Sequence, residues 1–144
     1  MDPWRSTATQ QAQDDLDGLV NATLPFAQQM LDDQGEFFPF GAAVDDADEL
    51  RLVTGGPDLG DHPTTAQVLA ALVDGMRADR RTLRAVAIVS DVRLADTDAV
   101  CVELEHREGH AIEVFLPYRQ KRYLHGVDYF ELTSGPGTIR IWNR

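Results

Sequence analysis

The stretch Asp98-Ala-Val-Cys-Val-Glu-Leu-Glu-His-Arg-Glu-Gly-His-Ala-Ile-Glu-Val-Phe-Leu-Pro-Tyr118 decides the fold. Val100, Val102, Leu104 and His106 fall on one face of its first arm, with Cys101, Glu103 and Glu105 on the other. The second arm repeats the period of two, Ile112, Val114 and Leu116 alternating with Ala111, Glu113 and Phe115. A two-residue Glu108-Gly109 turn would set Leu104 opposite Glu113 and bury a carboxylate. A three-residue loop, 107–109, with Gly109 at positive φ, pairs Leu104 with Ile112, Val102 with Val114 and Val100 with Leu116. That register also sets His106 opposite His110 and Glu103 opposite Glu113.

Outward from the hairpin, the chain divides by charge. Residues 1–61 hold 13 acids with only Arg5 and Arg51 as bases, so the whole net charge of −11 lies there; residues 62–144 balance 11 acids with 11 bases. An acidic surface does not neutralise phosphates, so nucleic acid is excluded as a partner, while a basic protein is admitted. No apolar run reaches the ~20 residues that cross a bilayer, and no apolar stretch follows a basic start, so neither a membrane partner nor a signal peptide is expected. Cys101 is the single cysteine, which suits a reducing cytoplasm.

Residues 1–8 read as a frayed start with Trp4 docking on the body, and residues 9–144 as a single domain. From Thr9 to Gln34, Leu16, Leu19, Val20, Thr23, Ala27, Met30 and Leu31 recur at helical offsets; Pro25 should kink or divide the helix, and Gly35 is a natural cap. Phe37, Phe38 and Phe40 follow around Pro39 and are expected to clamp helix to sheet. Residues 41–44 and 50–53 read as short strands joined by an acidic turn. Loop 54–63 lacks the Gly-Lys-Ser/Thr ending of a phosphate cradle and reads as a connector. A second helix is expected over 64–80, capped by Asp61 or His62, with Leu69, Leu72, Val73 and Met76 buried. Arg77, Arg80, Arg81 and Arg84 near its end complement the helix dipole. Residues 85–89 are apolar on both faces, as in a covered central strand. After the hairpin, residues 127–133 read as a strand, 134–137 as a turn and 138–142 as a last strand that either joins the sheet or packs as an arm.

Two segments carry a resemblance: Met30-Leu-Asp-Asp-Gln-Gly-Glu-Phe-Phe-Pro-Phe-Gly-Ala42, and the hairpin from Leu104 to Tyr118. Together they resemble small uncharacterised bacterial α+β proteins, a domain of unknown function, over residues 24–131. The resemblance implies a bacterial, cytoplasmic, single-domain protein and carries no activity.

His106-Arg-Glu-Gly-His110 differs from the zinc-protease His-Glu-x-x-His pattern: the glutamate is one position late and the histidines straddle a β-turn. Glu36, Glu108 and His125 could add a third ligand only by residue type, so no metal and no cofactor is assigned. The catalytic candidates are His106, His110 and Glu36. Glu103 and Glu113 form a facing carboxylate pair that Arg93 or Arg140 would relieve. The expected architecture is α+β: two helices packed on one face of a mainly antiparallel sheet of about five to seven strands, with Glu103, Glu105, Glu113 and Phe115 on an outer face that is exposed or makes a homodimer, as an edge strand also could. The expected function is a non-enzymatic binding or regulatory module using the acidic N-terminal face or the sheet face. The alternative is a small enzyme with a His106/His110 and carboxylate cleft. A pocket holding both histidines and Glu36 would favour the enzyme; a histidine edge with an apolar patch elsewhere favours the module. Zinc or nickel added in excess is expected to leave the melting temperature unchanged; a concentration-dependent rise in a thermal melt would contradict this.

Overall fold

Thr9 opens the first helix, α1 (Gln10–Gln34), its hydroxyl accepting from the Ala12 amide at 3.1 Å, and Gly35 closes it at φ 77° with its amide on the Leu31 carbonyl. The computed structural model describes residues 3–54, 60–121 and 126–143. Pro25 sits inside α1 without dividing it. It lacks the amide that would reach Asn21, and both residues lie on the exposed side, where water can take the freed carbonyl. The second helix, α2 (Thr65–Asp79), is capped by Thr64 and not by Asp61 or His62. The reason is a capping box: the Thr64 hydroxyl accepts from the Gln67 amide and the Gln67 side chain accepts from the Thr64 amide.

The strands are β1 (Phe40–Asp45), β2 (Leu50–Val53), β3 (Leu83–Arg93), β4 (Asp98–His106), β5 (His110–Gln120), β6 (Val127–Tyr129) and β7 (Thr133–Pro136). They form one antiparallel sheet in the order β2-β1-β3-β4-β5-β6, with β7 also on β5, so the chain is α+β. The hairpin register is the one the alternation demands: Leu104 faces Ile112, Val102 faces Val114, Glu103 faces Glu113 and His106 faces His110. Gly109 turns the loop at φ 101°.

The two helices lie on opposite faces of the sheet, not on one. Leu16, Leu19, Ala27 and Leu31 of α1 pack on Ala42, Ala85, Ala87, Val89, Val102 and Leu104, whereas Val68, Leu72 and Met76 of α2 pack on Ala43, Val86 and Ile88. Successive residues of β1 and β3 are buried because each face has its own helix. Near its start β3 breaks this alternation. Val44 pairs with Ala85 but Asp45 pairs with Leu83, so Arg84 is an extra, bulged residue. The bulge sends Leu83 to the α2 core and Arg84, which strict alternation would place there, to α1.

Residues 138–142 form no strand. The Ser134-Gly-Pro-Gly137 segment read as a turn contributes β7, because an edge position on β5 tolerates Gly135 and Pro136. Residues 140–143 lie on the α2 face as an arm, with Ile141 buried against the α2 core. Glu105, expected on the outer face, is 4% exposed: its carboxylate accepts the successive amides of Arg140, Ile141 and Trp142 at 2.7–3.0 Å. Arg77 and Arg80 donate to arm carbonyls at Arg140, Ile141 and Asn143, so they clamp the arm as well as facing the helix terminus. Ile141→Ala is therefore expected to lower stability by about 2–4 kcal/mol in a urea melt at unchanged slope; a loss under about 0.5 kcal/mol would show that the arm is no part of the core.

Candidate functional site

At the hairpin end the histidines enter a network. Asp15 of α1 is 8% exposed and receives Arg84 on both oxygens, Nη2 to Oδ1 at 2.9 Å and Nε to Oδ2 at 3.2 Å. The third guanidinium nitrogen pairs with Asp48 in the β1–β2 turn, where Asp48 takes the left-handed φ of 63°. These two carboxylates hold the Arg84 guanidinium above its already high ordinary pKa. His106 is 1% exposed and its Nε2 lies 3.0 Å from Asp15 Oδ2. The Glu108 amide donates to His106 Nδ1 at 3.2 Å, so Nδ1 is the acceptor and Nε2 carries the proton given to Asp15. Both ring nitrogens are occupied and the ring is out of reach of solvent.

His110, half-buried, stacks at a tilt against Trp4 with centroids 6.1 Å apart. Glu108 accepts from the Thr9 hydroxyl at 2.8 Å. Glu36 is not part of this corner. It lines a groove beside Asp91, six residues along β3 from the His106 partner Ala85, a separation of ~20 Å. The three catalytic candidates are therefore not brought together. His125 lies outside the described residues, as do residues 55–59 of the connector. Among the described residues, no cluster of three or more His, Cys, Asp or Glu side chains is arranged to hold a metal.

Glu103 meets Arg140 at 3.0 Å; burial raises its carboxyl, the arginine opposes this, and Glu113 across the strand pair adds to the rise. Cys101 is buried, and burial, then the Glu103 and Glu113 charges, push its thiol up to about 12, which removes it as a nucleophile at neutral pH.

The feature that the sequence did not single out as a site is the groove at the opposite end of the sheet. It runs between the C-terminal half of α1 and the start of α2, over the entry to β1, with a volume of about 920 Å³. Phe26, Phe37 and Phe40 form an edge-to-face chain, centroids 5.1 and 5.9 Å apart, along its α1 wall. Phe40 is buried, but Phe38, expected to clamp the helix, is 62% exposed at the rim. Glu36 and Asp91 are its charged residues among the described lining. Asp91 accepts the Tyr118 hydroxyl at 2.6 Å. Burial raises the Asp91 carboxyl, the Tyr118 hydrogen bond opposes this, and the Asp98 and Glu36 charges add to the rise. Burial and Asp91 together push the Tyr118 phenol far up.

Comparison with family models, curated proteins and solved structures found no match. No described helix is long and apolar enough to cross a membrane.

The two ends differ in what their charges do. At the hairpin end they close on one another, and removing one leaves the others buried without a partner. Asp15→Asn is expected to cost about 3 kcal/mol and His106→Ala about 2 kcal/mol, measured by urea unfolding. A His106→Ala variant as stable as the parent would show that the ring is a solvated edge.

Proposed function

We propose that the chain is a non-enzymatic binding module whose phenylalanine groove docks an apolar segment of a basic protein partner. The observation that supports it is the groove's makeup: a phenylalanine exposed at the rim, an aromatic wall beneath, and acids as its charged described lining residues. An exposed large aromatic beside a concave apolar surface is the kind of anchor that contact sites use. The electrostatics agree. The C-terminal half of α1, which lines the groove, carries Asp32 and Asp33 and no Lys or Arg. They lie in the last turn of the helix, where the dipole favours cations. The enzyme reading loses support because His106 is buried with both nitrogens engaged and Glu36 lies elsewhere. We place the protein in the cytoplasm, as its single buried cysteine and its resemblance to small bacterial proteins suggest. Strand β2, one edge of the sheet, with Leu50 and Leu52 at 40% and 47% exposure, is the edge we assign to a second copy.

The test is isothermal titration with a synthetic amphipathic Leu/Lys peptide. Binding is expected to weaken as salt rises. Phe38→Asp is expected to reduce affinity at least about tenfold while leaving the melting temperature within about 1 °C, since the side chain is already in water. An unchanged affinity in Phe38→Asp, or no binding to the parent, would remove the groove from the function.

A further inference from the structure

We propose that the groove selects an apolar segment bearing a lysine or arginine, and that the Asp91 carboxylate on the groove lining, held by the Tyr118 hydroxyl, receives that cation. The inference rests on the groove reading above and adds the residue that sets its specificity.

Of the buried and half-buried carboxylates elsewhere, Asp15, Glu105 and Glu103 are matched from within, while Glu113 faces Glu103 across the strand pair. Asp15 has Arg84 and His106, Glu105 has three backbone amides, and Glu103 has Arg140. Asp91 has a phenol and, among the described residues, no cation. One of its oxygens is fixed by Tyr118 and the other is left for a ligand. Its position follows from alternation on β3: Ala85, Ala87 and Val89 face α1, so Asp91 continues that face to where the sheet meets the groove.

The charged and titratable groups around Asp91 make the need for a cation stronger. From β5 comes the Tyr118 phenol, from β4 Asp98, and from the segment after α1 Glu36. Asp98 is partly answered by Arg93 at 3.2 Å, an exposed pair screened by solvent. The α2 wall contributes Thr65 and Val68, which bring no charge. The carboxyl is accordingly held above its ordinary value, burial being the first cause. The sign is informative. A carboxyl raised on folding makes the folded state less stable as pH climbs from the unfolded pKa through the folded one, so at neutral pH the Asp91 charge is a cost to the fold. A cation delivered by a partner offsets that cost with a charge-assisted hydrogen bond. The aromatic wall suits the same ligand, since phenylalanine accepts both the aliphatic stem of a lysine or arginine and the face of a guanidinium.

The experiment compares two peptides of equal length and apolar content, one with a central lysine and one with norleucine in its place, titrated into the intact chain. Asp91→Asn should bind the lysine peptide about tenfold more weakly and the norleucine peptide as the parent does. Parent affinity for the lysine peptide should fall as pH drops through the raised Asp91 pKa, where the carboxylate is lost. That fall should be absent in Asp91→Asn and with norleucine. If Asp91→Asn discriminates the peptides as the parent does while Phe38→Asp loses both, the Asp91 proposal fails and the groove stands. If neither peptide binds the parent, both fail.

Discussion

The Asp15 carboxylate is the constraint on which the rest of the architecture rests. A carboxylate 8% exposed on a largely apolar helix face is stable only if its partners are already in place, because an unpaired buried charge costs several kcal/mol. Those partners come from two strands, Arg84 of β3 and His106 of β4, and Asp48 of the β1–β2 turn completes the set. Helix α1 thus cannot slide or rotate on the sheet without stripping three charged or polar groups of their bonds. The β3 bulge exists in the same frame. Without the extra residue, Arg84 would point to the α2 core, where Met76 and Ile88 offer a guanidinium no acceptor.

The hairpin was legible because its two faces differ in polarity, so only one register keeps Leu104 against Ile112 and spares a buried carboxylate. The cap was legible where one residue suffices, as at Gly35, and was missed at Thr64, which needs its partner Gln67 to be noticed. The opposite placement of the helices was implicit in residues 85–89, which are apolar on both faces; two covered faces require two layers, and the chain has one long helix for each. The bulge was not legible. Alternation assumes an unbroken ladder, and nothing in Leu83-Arg84-Ala85 announces the residue that breaks it. Arg84 therefore read as part of a helix-end cluster although it is the centre of a buried network.

The site was less legible than the fold, for a related reason. Histidines, facing carboxylates and a cysteine draw attention by chemistry, yet burial takes two of these groups out of play: His106 and Cys101 are each at most 6% exposed. The phenylalanine cluster was visible, but its assignment depended on which ring faces inward. Phe40 enters the core and Pro39 is buried beside it, which leaves Phe38 outward. An aromatic triplet in sequence therefore becomes a wall, a floor and a rim in space.

The two ends of β3 carry opposite solutions to the same problem. At one end Arg84 is surrounded by acids within the chain, and the charges are neutralised before any partner arrives. At the other end Asp91 has further acids and a phenol around it and, among the described residues, no cation paired with it. A sequence selected for stability alone would place asparagine or serine at position 91, since either could bond Tyr118 without bringing a charge into a half-buried, acidic groove. The carboxylate stands where it opposes the fold and where the aromatic surface is open. That combination is what a site awaiting an external cation requires.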